Sequence, residues 1–364
     1  MAKHPYAALP QYTRWSKSVA GLDYTQIDPV VSFRFRIEPS DKVATAGSCF
    51  AQHIARHLSA AGFNYFVPEQ AHEVLTMVPG LPEHHGYGLY SARYGNVYTS
   101  RQLLQLYKRA FGTLVPQEKP WLGPDGGWLD PCRPTVQPGG FATRDELERD
   151  RAYHLACVAR MFQELDIFVF TLGLTEMWHC KSDGMALPVA PGVAGGVYDE
   201  DRYGFTNLSV DDVVANFSEF VELLQAVNPT ARIILTVSPV PLAATAKMQH
   251  VLVSTTLSKS ILRVAADILD TKFGHVSYFP SYEIITANAM RGRYYSENLR
   301  DVTEEGVSHV MRLFMTHVAG STPAAVAAQT EPAPGHSVAA MQKVVSVACD
   351  EALIETAYSQ PNVA

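Results

Sequence analysis

The chain has 364 residues, 47% hydrophobic and 18% charged, with a formal net charge of -7. That balance leaves no surplus of lysine and arginine to neutralise phosphates, so nucleic acid is not expected as a partner. No apolar run approaches the ~20 residues of a membrane span, and the five cysteines, an odd number without a CxxC pair, read as reduced thiols of a cytoplasmic protein rather than a disulfide frame or a structural zinc site.

The first fifteen residues, MAKHPYAALPQYTRW, lack the apolar centre of a secretion signal. Residues 1–40 are mixed and aromatic, and are expected to lie across the surface of a domain. Residues 42–46 form a strand candidate that Gly47 interrupts. Phe50, Ile54 and Leu58 then recur at helical spacing, and Gly62 closes that helix. After a loop-rich stretch over 80–100, Thr99 or Ser100 caps a helix carrying Leu103, Leu104, Leu106 and Tyr107. Residues 112–142 are rich in Pro, Gly and Trp and predict a long irregular insertion.

Thr143 and Glu146 form a capping box for a helix running to about Glu164. The apolar run 166–172 suits a strand buried on both faces. A second irregular stretch is expected over 183–207. A helix follows from 209 to about 227, then a buried strand over 232–237, a helix over 254–270, a strand over 276–279 and a last helix from 303 through 314. Residues 319–336 read as an Ala/Pro linker, and 337–364 as a C-terminal helix and tail that can dock on the body or on a protein partner.

Strands alternating with helices predict an α/β fold: one parallel sheet with helices on both faces, in three flavodoxin-like layers, over residues 1–318. Ligands in such folds sit beyond the carboxyl ends of the strands. That rule selects residues 47–53, 173–180, 238–245 and the loop before 303. At the first of these, TAGSCFAQH places a hydroxyl, a thiol and an imidazole beside a strand-to-helix glycine. Backbone N–H groups at a helix start favour negative charge, ease ionisation of a thiol and can steady an oxyanion. The same residue types also suit plain structure, with Ser48 as a cap and Cys49 as a small buried side chain.

GSCFAQHIARHL resembles the signature of the GSCFA family. The likeness continues through RYGNVYTSRQLLQL, DPCRPTVQPGGF, FVFTLGLTEMW, PGVAGG, ILTVSPVPLAAT, LSKSILR, YFPSYEI and NLRDVTEEGVSHVM, over roughly residues 30 to 316. This family distantly resembles the SGNH, or GDSL, hydrolases. The resemblance implies an acyl esterase or acyltransferase acting on a carbohydrate or small ester; no cofactor is expected, and no metal, because Glu176 and His179 have the i, i+3 spacing of a metal pair without a second pair. The alternative is a degenerate member of the fold that binds a glycan or a protein.

Laid on the SGNH first block, Gly-Asp-Ser, the attacking position falls on Cys49; a slipped register gives Ser48. The second block's oxyanion glycine falls on Gly95, with Asn96 as a nearby donor. In the third block, Gly-x-Asn-Asp becomes Gly173-Leu174-Thr175-Glu176, so Thr175 takes the asparagine's place and Glu176 adds a carboxylate. The fifth block, Asp-x-x-His, becomes Asn298-Leu299-Arg300-Asp301, and the base histidine is replaced by Asp301. A serine needs a positioned base more than a thiol does. His53, one turn after Cys49, and His179 are candidate replacements; His309 in the last helix fits packing better. Asp130 and Arg133, with Trp121 and Trp128, are expected to line a pocket for a polar acyl acceptor. Arg133 can instead pair with a neighbouring acid.

Overall fold

The computed structural model describes residues 4–320 together with Leu353 and Ile354. The linker and tail expected from 321 onward otherwise lie outside the described residues. The first strand, β1 (Val43–Gly47), is buried throughout. It turns at Ser48 into helix α1 (Ala51–Ala60). Helix α2 (Ser100–Ala110) starts at a capping box: the Gln102 N–H donates to Thr99 Oγ1, and the Thr99 N–H donates to Gln102 Oε1. The insertion over 112–142 contains a two-rung hairpin, β2 (Trp121–Leu122) and β3 (Trp128–Leu129), and one further antiparallel bridge from Trp128 to Phe141.

Helix α3 (Arg144–Glu164) starts where expected. Thr143 caps the Glu146 N–H, but the Glu146 carboxylate turns to the Ala142 N–H rather than closing a box. Strand β4 (Ile167–Leu172) follows, and all six of its residues are buried. Next comes a small antiparallel sheet of β5 (Glu176–Cys180), β6 (Ala186–Leu187) and β7 (Tyr203–Asn207), in the order β6-β5-β7. The stretch 183–207 is therefore not wholly irregular. Its strands find their partner across the sheet, with Trp178 opposite Phe205 and His179 opposite Gly204. The His179 ring lies over Gly204, where a Cβ would stand 2.7 Å from the imidazole Cε1. That glycine interrupts any alternating pattern that would mark a strand.

Helix α4 (Val210–Val227), strand β8 (Arg232–Val237), helix α5 (Val251–Lys272), strand β9 (Val276–Tyr278), helix α6 (Ser281–Thr286) and helix α7 (Glu304–His317) complete the order. Helix α5 starts three residues before the expected 254 because the His250 imidazole accepts the Leu252 N–H and caps it.

The main sheet is parallel with strand order β1-β4-β8-β9. Its strands read as continuous apolar runs, yet alternate residues serve two cores. Ala44, Ala46, Phe168, Phe170, Ile233 and Leu235 pack with α2, α3, α4 and α5. Val43, Ile167, Val169 and Ile234 pack with α1, α6, α7 and the segment carrying Ile27, Val30 and Ile37. This is the three-layer α/β arrangement expected. No helix among the described residues is long and apolar enough to cross a membrane.

Candidate active site at the strand-to-helix corner

Gly47, Thr171 and Thr236 share one rung of the sheet. Beyond it, three segments are stitched together. The Ser48 N–H donates to the Thr171 carbonyl at 3.2 Å. The Val97 N–H donates to the Gly47 carbonyl at 2.9 Å, which binds the loop 94–99 to the end of β1. Tyr98, in turn, accepts the N–H groups of Gly173 and Leu174 at 2.9 and 3.1 Å. The fit is close: a Cβ on Gly173 would stand 3.0 Å from Ser48 Cβ. A Cβ on Gly47, at φ 138°, would stand 2.5 Å from the Thr171 carbonyl oxygen. Only glycine meets that demand, because this backbone conformation is closed to other residues.

Ser48 and Cys49 sit at this junction with 3% and 6% of their surface exposed. The Ser48 hydroxyl is buried without a hydrogen-bond partner. The helix behind Cys49 reaches across to the loop: Gln52 Nε2 donates to Tyr90 OH at 3.2 Å, and the Tyr90 hydroxyl donates to Asn96 Oδ1 at 2.5 Å. Asn96 is buried, and Gly95 beside it has φ 69°. The loop carrying Gly95 and Asn96 is thus tied to the corner through Val97 on Gly47 and through Tyr90 on Gln52.

Thr175 is fully buried, but its hydroxyl donates to Asn207 Oδ1 at 2.6 Å and its N–H to Ser258 Oγ at 3.1 Å. Both of its donors are therefore committed away from an oxyanion. Glu176 accepts from the Thr245 hydroxyl at 2.7 Å and from the Ala246 N–H at 3.3 Å, which pins the loop after β8.

The histidines have other surroundings. His53 packs on the Phe50 ring, and burial, with Arg56 and His57 adding to it, lowers its pKa to about 3. His179 lies in the small sheet, 3.4 Å from Thr206 Oγ1, and burial lowers its pKa too. His309 is fastened in the core: its Nε2–H donates to the Ile27 carbonyl at 3.0 Å and its Nδ1 accepts from Tyr294 OH at 2.7 Å. Asn298 and Asp301 are exposed and bound to each other, with Asn298 Nδ2 donating to Asp301 Oδ2 at 2.8 Å. Their loop is held near the exit of β8 by the Tyr295 hydroxyl, which donates to the Pro239 carbonyl at 2.8 Å.

Asp130 and Arg133 belong to a buried ion network, and Arg133 also lines a small cavity with Asn96 and His154. Arg133 meets Asp130 at 3.0 Å and Asp150 at 2.6 Å; Arg151 meets Asp130 and Arg93 meets Asp150. Burial works to raise the Asp130 pKa, but the guanidiniums of Arg133, Arg151 and Arg109 outweigh it and hold the carboxyl well below its ordinary range. The Arg93 N–H donates to Glu69, which also binds His154 at 2.6 Å. The network therefore braces the start of the loop that carries Gly95 and Asn96. Trp121 is buried in a separate cluster with Leu129, Cys180 and Tyr203, and Trp128 stacks under Arg144.

Lys259 is a site residue that the sequence reading passed over. It is 2% exposed, and its Nζ donates to the Gly173 carbonyl at 2.7 Å. Ser258 and Lys259, adjacent on α5, thereby hold both ends of the Gly173–Thr175 turn. The signal was available: Lys259 precedes Leu262, Ala266 and Leu269 at helical spacing, so it falls on the apolar face of α5.

A model of the GSCFA family matches residues 42–314, which covers every strand of the main sheet, the corner and helix α5. The chain belongs to the GSCFA family. No curated protein matches it significantly.

Proposed function

We propose that the protein is an SGNH-like acyl esterase or acyltransferase in which Cys49 is the nucleophile. One observation supports the reading: Cys49 stands where β1 hands over to α1, next to Ser48, whose Cβ meets the Gly173 turn that Lys259 secures. Once the loop 94–99 gives way, the Cys49 thiol first gives its proton to the water admitted there. The thiolate then attacks the carbonyl carbon of an ester, and the carbon–oxygen bond to the leaving alcohol breaks. That alcohol departs with a proton from water, leaving a thioester. Water or an acceptor hydroxyl then attacks the thioester, yielding an acid or a new ester and restoring the thiol. The Ala51, Gln52 and His53 N–H groups at the start of α1 already donate to the Ser48, Cys49 and Phe50 carbonyls, so the loop around Gly95 and Asn96 supplies the candidate donors to the oxyanion.

Cysteine is preferred over serine because the Ser48 hydroxyl has no imidazole or other partner to deprotonate it. The corner as it stands is closed, so acyl transfer requires the loop 94–99 to give way. Steady-state hydrolysis of activated esters tests the assignment. Cys49→Ala should abolish turnover, while Ser48→Ala should keep it within about tenfold. The reverse pattern moves the nucleophile to Ser48.

A second reading is a binding protein of the same fold, without turnover, that takes a glycan or a protein partner. The observation that favours it is the loop 296–301, where Asn298 and Asp301 are exposed and satisfied by each other. Failure of both variants to differ from an inactive wild type would select it.

A further inference from the structure

A cavity of about 380 Å³ opens beside the corner. One wall is the small antiparallel sheet, through Met177, Trp178 and Phe205; another is the loop after β8, through Leu242 and Ala244. Leu174 also lines it, directly after the Gly173 that touches Ser48. Ile354, from the C-terminal segment, lies against the same space.

The lining restricts the ligand. Among the described residues it contains no lysine, arginine or histidine to hold a phosphate, sulfate or carboxylate. The one ionised side chain among the described lining residues, Glu176, already accepts from Thr245 and Ala246. A sugar ring would bury several hydroxyls against a surface that cannot satisfy them, at a cost for each. A neutral hydrocarbon suits both the volume and the chemistry.

We propose that this cavity binds the saturated hydrocarbon chain of an acyl group, with its carbonyl end toward Gly173 and its methylenes among Leu174, Met177, Trp178, Phe205 and Ile354. The identity of the head group rests on the acyl-transfer reading; binding of the chain does not. Ile354 is then part of the binding site, since it supplies some of the wall.

Methyl n-alkyl ketones, which carry an acyl-like carbonyl but have no leaving group, test the proposal on the full-length protein through the fluorescence of Trp178, with Trp178→Phe as the signal control. Each added methylene should lower Kd about fourfold until the chain fills the cavity. Ala244→Phe should bring that limit to shorter chains. Ile354→Asp, in a segment outside the family's matched region, should weaken the longest ketones about tenfold and leave the shortest unchanged. A Kd indifferent to chain length, or the same length profile in folded Ala244→Phe and Ile354→Asp proteins, overturns the proposal. The two readings fail separately: chain-length-dependent binding without ester turnover removes the enzyme and keeps the cavity, whereas turnover without chain-length dependence does the opposite.

Discussion

Gly47 sets the geometry of the whole corner. Its φ of 138° directs the chain out of the sheet and into α1, and the Thr171 backbone occupies the place of a side chain. Gly47→Ala should therefore destabilise the protein by about 2–4 kcal/mol, from the strained backbone and the overlap together. A lower urea midpoint with an unchanged slope is the expected result; a midpoint equal to that of the wild type would mean the corner is looser than described. Ser48, next along, is a different case. Its hydroxyl was desolvated on folding and gained no partner, so the residue contributes shape rather than a bond.

At the scale of elements, the layered fold and most of the helix starts were readable from the sequence. The stretches 167–170 and 233–235 are wholly apolar, and Thr99, Thr143 and Ser209 marked helix starts that are observed. The small sheet was not readable. Its pairing depends on contacts between β5 and β7 that no local pattern announces, and Gly204 hides the alternation. The candidate site divides in the same way. Gly47 through Cys49 and the Gly95–Asn96 loop stand out as motifs and do meet in space. Asp130 and Arg133 also stand out, but a motif does not reveal whether a charge faces a ligand or another charge; here Arg133, Arg151, Arg93 and Asp150 complete a network. Lys259 was obscured for the opposite reason. A lysine in a helix ordinarily reads as solvated, and only its place among apolar neighbours shows that it is buried.

For the whole molecule, buried histidines govern the response to acid. Burial holds His53 at about 3 and His309 at about 4, against an ordinary value of 6.5, and His154 is lowered as well. Between those values the unfolded chain binds more protons than the folded one, so stability falls as pH falls. The contribution is fully present above about 6.5 and is lost progressively toward the folded values. The depressed carboxyls of Asp130 and Glu69 extend the loss below their ordinary values of 3.8 and 4.5. Tm should be level above about pH 7 and decline steadily below it; a Tm unchanged down to pH 4 would show that these imidazoles are protonated in the folded protein.

Chemistry at the corner is the claim on which the functional account turns. The most direct measurement is the intact mass of the protein after brief exposure to an activated ester, followed by peptide mapping. Burial pushes the thiols of Cys132, Cys157 and Cys180 up, Cys180 to about 12, so these three should stay unmodified at neutral pH. In the Cys349→Ser protein the account predicts a single acyl group, on Cys49, released by hydroxylamine as a thioester is. An unmodified Cys49, with no ester consumed, would contradict it.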